Sequence, residues 1–238
     1  MRATHLPANF MATMAPAATM NIASLPQVMW GTTTPCPGAQ VTGTDLGLYS
    51  ITFNNNLDSD YASLMAFNEF RAEAAECGFK YFLEVFNPNV DSGIDPEVLP
   101  HYINDCIVRC LAGVAKADRP EFLKIAYNGP KALEELASFD PSLIVGVLGG
   151  GAGTTRDCFE LLHQGEKYGA RVALFGRKIN LAEAPLAMVA LMREVTDGSL
   201  SPQEAVKAYH GELQKQHLKP QRALEEDMAI TETVLQQR

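Results

Sequence analysis

The chain has 238 residues, 47% of them hydrophobic, 20% charged and 8% aromatic, fractions that leave out disordered, collagenous and coiled-coil proteins. Nineteen Lys and Arg against 28 Asp and Glu give a net charge of −9, which argues against a broad electrostatic grip on nucleic acid or anionic lipid. No run approaches the about 20 apolar residues of a membrane span. The Ala- and Met-rich stretch 8–25 is broken by Pro16 and Asn21 and makes a poor signal peptide. Cys36, Cys77, Cys106, Cys110 and Cys158 contain no C-x-x-C pair and read as buried free thiols in a reducing, cytoplasmic setting.

In chain order, a weak strand is expected near 10–14 and another at 26–30. Residues 48–53, β-branched and aromatic, predict a strand that ends at Asn54, Asn55 and Asn56. Leu64, Phe67, Phe70, Ala74 and Ala75 lie at helical spacing over 58–78, and Gly78 closes that helix. A strand follows at 79–86, then a helix at 96–117 with Tyr102, Ile103, Cys106, Ile107 and Cys110 on one face. Further strands are predicted at 122–127, 142–148 and 171–175, with helices at 130–138 and 155–168 between them. Beyond 182 the pattern is helical only. It has one helix at 185–196, one opened by the capping box Ser201 and Glu204, and one from Pro220 to the terminus.

Strand and helix therefore alternate, which demands parallel strands buried under helices, an α/β architecture. The expected fold is a (βα) TIM-type barrel over 1–198 with extra C-terminal helices at 199–238. Only five strands are clear where a closed barrel needs eight, so the early strands are either disguised or lie upstream of Met1.

Three features invite chemistry. Lys124 sits in an apolar strand between Leu123 and Ile125; a lysine held away from water is a Schiff-base nucleophile, and its bland alternative is a snorkelling or carboxylate-paired side chain. Gly149, Gly150 and Gly151 follow an aliphatic strand and open a helix, where glycines let a ligand approach and helix N–H groups attract anions; a plain tight turn is the alternative. Neither the Walker A nor the G-x-G-x-x-G pattern fits. Gly176 and Arg177 leave the last strand, and the guanidinium offers a fork for phosphate oxygens. Barrel enzymes frequently hold phosphate after their last two strands. His101, His163, His210 and His217 fall in predicted helices rather than at strand ends, so no metal site is expected.

The segments around Lys124 and Tyr127, Gly149 and Gly150, and Gly176, Arg177 and Ile179 resemble the last three strands of Schiff-base (class I) aldolases. Within that deoxyribose-phosphate aldolase-like group they are most similar to the archaeal-type fructose-bisphosphate aldolases. The intervals of 25 residues from Lys124 to Gly149 and 27 from Gly149 to Gly176 suit one βα unit each. The resemblance implies a lyase acting on a phosphorylated sugar or keto compound. Lys124 would form the imine, Glu84 or Tyr127 would move protons, and Gly149, Gly150, Gly151, Gly176 and Arg177 would hold phosphate. It implies no metal or cofactor; the net charge of −9 and the lack of a long apolar run predict no nucleic-acid or membrane partner, and a homo-oligomer is expected.

The family's strand-five tyrosine is replaced here by Phe86 with Glu84 nearby, and Glu84 is either the shuttle or a salt-bridge partner of Lys124. An early-strand aspartate has only Asp45 and Asp58 as candidates. Lys178 stands in place of the usual asparagine and is expected to add charge at the phosphate. A non-catalytic phosphosugar-binding protein and a phosphosugar isomerase-like barrel enzyme remain the alternatives.

Overall fold

The computed structural model describes residues 23–34, 36–149 and 153–237; the stretch 8–22, the strand expected near 10–14, Gly150 and Gly151 lie outside them. The chain divides into two compact units between Lys124 and Ile125.

In the first unit, helix α1 (Leu25–Trp30) stands where a strand was expected. Gln27 Oε1 accepts the Ser24 N–H at 3.0 Å, and Pro26 sits in the first turn, where its missing N–H costs nothing. Leu25 and Met29, one helical turn apart and so one above the other, then pack on Ala74, Cys77 and Phe79. Strand β1 (Leu46–Thr52), helix α2 (Leu57–Cys77), strand β2 (Lys80–Phe86) and helix α3 (Leu99–Ala112) follow, then strand β3 (Leu123–Ile125). The Asn56 side chain caps α2 by accepting the Ser59 N–H at 3.0 Å, and Gly78 ends it at φ 69°, a left-handed turn suited to glycine. β1 and β2 run parallel, from Leu46 opposite Lys80 to Thr52 opposite Phe86.

One side of these strands is core. Ile51, Leu83, Val85 and Leu123 are buried, and Tyr49 stacks on Phe70 of α2 with ring centroids 4.5 Å apart. Strand alternation sends Ser50, Phe82, Glu84, Phe86, Phe122 and Lys124 to the other face.

The second unit carries helix α4 (Pro130–Phe139), strand β4 (Val145–Leu148), helix α5 (Thr155–Lys167), strand β5 (Val172–Leu174), helix α6 (Arg177–Asn180), helix α7 (Pro185–Thr196), helix α8 (Pro202–Lys215) and helix α9 (Leu224–Asp227). β4 and β5 are parallel, with Leu148 opposite Leu174. The C-terminal helices are integral to this unit: Phe159 and Leu162 of α5, Met188 and Val195 of α7, and Val206, Tyr209 and Leu213 of α8 form one buried cluster. The expected helix from Pro220 to the end shrinks to the single turn of α9 and a 3₁₀ turn at Thr233–Gln236. Between them, backbone groups of Thr231 and Glu232 bond to Asp157 instead of continuing a helix.

The five strands take sheet positions in chain order, β1-β2-β3-β4-β5. The α/β alternation is therefore present, but among the described residues the sheet is open where a barrel was expected. No helix there is long and apolar enough to cross a membrane.

Candidate functional site

Lys124 and Glu84 meet on the half-open face of β2 and β3. Lys124 Nζ lies 2.6 Å from Glu84 Oε1, with the lysine side chain 13% exposed and the glutamate 1%. Glu84 Oε2 accepts the Ser50 hydroxyl at 3.0 Å, and Ser50 is the residue directly opposite Glu84 in the β1–β2 register. One polar residue from each of three strands thus forms a row, Ser50, Glu84, Lys124. Two residues earlier on β2, Phe82 stacks on Phe122 at 4.7 Å and 14° between planes, an aromatic floor beside the row. Burying a carboxylate costs several kcal/mol unless it is paired and hydrogen-bonded, and here both oxygens are engaged. The amine is screened from bulk water yet reachable.

Ser50 was not singled out from the sequence. Its signal is a hydroxyl on the Glu84 side of β1, readable only once the register is known. Asp45 and Asp58, the aspartate candidates, lie before β1 and in the first turn of α2. Among the described residues, neither hydrogen-bonds to or pairs with Glu84 or Lys124. The Asn54–Asn56 turn is structural. Asn54 Oδ1 accepts the Asn89 N–H at 3.2 Å, Asn55 donates to Ser92 O at 3.0 Å, and Asn56 caps α2.

Tyr127 sits in the second unit, just past β3. It is buried, and its hydroxyl lies 2.6 Å from Gln164 Oε1 on α5. The Gln164 amide N–H groups go to Leu235 O and Glu160 Oε1, both at 2.9 Å, so its oxygen faces the phenol and Tyr127 is the donor. Burial pushes this phenol well above its ordinary value, helped by nearby Tyr168 and Glu160. A proton held this firmly in a core hydrogen bond does not suit a shuttle.

The strand ends expected to hold phosphate do come together. The Gly149 N–H donates to Leu174 O at 3.1 Å, and a Cβ at Gly149 would stand 2.7 Å from the Phe175 ring, so only glycine lets β4 leave past the end of β5. A Cβ at Gly176 would meet nothing within 4 Å, and exposed Arg177 follows as the first residue of α6.

The start of α5 departs from expectation, because its first donors already bind this chain's own carboxylates. The Thr154 N–H donates to Asp157 Oδ2 and the Thr155 N–H to Asp227 Oδ1, each at 2.8 Å. Asp157 also accepts the Thr231 N–H at 2.8 Å and its hydroxyl at 2.5 Å. Burial alone would raise the Asp157 carboxyl, but the Thr231 hydroxyl and the N–H groups of Thr154, Thr231 and Glu232 outweigh it and hold it below its ordinary value. Asp227 Oδ2 lies 3.0 Å from His210 Nε2. Lys178 donates to the carbonyls of Gly153 and Thr154, and burial lowers its pKa. Its ammonium therefore ties the turn to α6 rather than lining an open anion site.

His101, His163 and His217 are peripheral to this chemistry. His101 is in α3 and His163 in α5, while His217 sits past α8 at φ 55°, outside the helix expected for it. Among the described residues no three His, Cys, Asp or Glu side chains group as metal ligands. All five cysteines are free, and burial pushes the Cys110 and Cys158 thiols up to about 12. No family model matches the chain, and no curated protein matches it.

Proposed function

We propose that the chain is a Schiff-base lyase of the aldolase type, built on part of a βα-barrel scaffold and acting on a phosphorylated sugar or keto compound. The observation that carries this reading is the lysine amine held at 13% exposure against a buried carboxylate 2.6 Å away. Glu84 Oε1 takes a proton from Lys124, and the neutral amine attacks the substrate carbonyl carbon. Glu84 returns that proton as the carbonyl oxygen leaves as water, so a protonated imine remains and the carboxylate is regenerated. That cation draws in the electrons of the breaking carbon–carbon bond, leaving an enamine, while the regenerated carboxylate accepts the proton of the β-hydroxyl, whose oxygen becomes the carbonyl of the released fragment. Glu84 is the group placed for both transfers. Gly149, Gly176 and Arg177, at neighbouring strand ends, are the proposed phosphate contacts, together with Gly150 and Gly151.

Sodium borohydride added with dihydroxyacetone phosphate should leave a reduced adduct on the Lys124 peptide, found by mass spectrometry and lost in Lys124→Met. A wild-type chain that stays unlabelled refutes the reading. A second reading, a phosphosugar-binding protein without lyase activity, draws on the same ion pair as a closed structural contact. It predicts dihydroxyacetone phosphate binding that is equal in wild type and Lys124→Met, with no adduct in either.

A further inference from the structure

Glu84 is fixed from two sides, and its second partner has a role of its own. Lys124 takes Oε1 at 2.6 Å and Ser50 gives its hydroxyl hydrogen to Oε2 at 3.0 Å. Ser50 faces Glu84 directly across β1 and β2, so the contact is set by backbone pairing and not by a flexible reach. It is also the exposed member of a row whose centre, Glu84, is buried. A carboxylate gripped at one oxygen alone can swing about its last side-chain bond. Gripped at both, it keeps one oxygen aimed at the lysine nitrogen.

We propose that Ser50 is a positioning residue for imine formation at Lys124, acting through Glu84; this rests on the Schiff-base reading above. As Lys124 releases a proton to Oε1 the ion pair becomes neutral, and when the iminium forms a positive charge returns to the same nitrogen. The carboxylate must stay in place through both changes, and the hydroxyl on Oε2 holds it there without contributing a proton. Holding such a constellation within a fraction of an ångström is what supporting hydrogen bonds do at reactive lysines. Ser50 is exposed on β1, so losing its hydroxyl leaves the strand pairing intact.

The test is the rate at which borohydride traps dihydroxyacetone phosphate on Lys124, measured over a range of probe concentrations. In Ser50→Ala the limiting trapping rate should fall about tenfold, the worth of one hydrogen bond to a charged group. The half-saturating probe concentration should stay as in wild type, the melting temperature should fall by about 2–6 °C because Glu84 Oε2 loses its donor, and Ser50→Thr, which keeps the hydroxyl, should restore the rate. A folded Ser50→Ala that labels at the wild-type rate overturns the Ser50 role alone, as does a folded Ser50→Thr as slow as Ser50→Ala. An unlabelled wild-type Lys124 overturns the Schiff-base reading and this proposal with it.

Discussion

Tyr127 donates its hydroxyl proton to Gln164 at 2.6 Å, and Gln164 in turn donates to the carbonyl of Leu235 near the C-terminus. The phenol is thus the inner end of a chain of bonds that pins the C-terminal segment onto α5. Tyr127→Phe removes the donor and leaves a buried amide oxygen unsatisfied, a cost of about 1–2 kcal/mol. Urea unfolding should show that loss, while borohydride labelling of Lys124 proceeds at the wild-type rate. A labelling defect in a folded Tyr127→Phe would return the residue to proton transfer.

What could be read in advance was mostly local. Gly78 ends α2, and Ser201 with Glu204 opens α8, because caps are decided within four residues. Lys124 and Glu84 stood out as charges inside apolar runs. Their partner Ser50 did not, since it is named by strand register, a long-range fact. The run at 26–30 is too short for a period to separate helix from strand, and packing on Ala74 and Cys77 decided it. The polar, Glu-rich end from Pro220 has helical composition. Its backbone was claimed instead by the carboxylate of Asp157, a tertiary bond that outweighs propensity.

Lys124 and Glu84 should be coupled in stability as well as in chemistry. Lys124→Met leaves a buried carboxylate without its cation, and Glu84→Gln leaves a mostly buried ammonium without its anion. Each single change should cost about 2–3 kcal/mol, and the double variant much less than their sum, with a coupling of about 1–3 kcal/mol. Urea midpoints of the four proteins measure it. Strictly additive losses would mean the pair contributes nothing.

Glu232 works against the fold at neutral pH. Burial raises its pKa, and the negative charge of Asp157 raises it further, with Lys178 opposing. A carboxyl whose folded pKa lies above its unfolded one stabilises the fold fully only below the unfolded value, about 4.3, and that contribution is lost as pH rises through the folded value. Glu232→Gln removes the charge and keeps the backbone N–H that Asp157 accepts. The variant should be more stable than wild type by about 0.5 kcal/mol at pH 7, and the gain should vanish by about pH 4. Equal urea midpoints at pH 7 would count against the cost.

Asp157 shows the opposite sign. Its carboxyl is held below the ordinary range by the Thr231 hydroxyl and three backbone N–H groups, against a burial effect that would raise it. Its folded pKa lies below the unfolded value of about 3.9. Its contribution is therefore present above that value and is lost as pH falls through the folded one. Asp157→Asn swaps an oxygen for an NH₂ that must face donors, either the Thr154 N–H and the Thr231 hydroxyl or the N–H groups of Thr231 and Glu232. At least one buried donor then goes unpaired, at about 2–3 kcal/mol at pH 7. The residues beyond α9 lose their main bond to α5, so proteolysis near Thr231 should quicken at the same time. As pH drops below about 3.9 the wild type loses the same charge, and the two unfolding curves should converge. A deficit that stays constant from pH 7 to the acid limit would show that packing of the amide, not the ionised carboxylate, accounts for the loss.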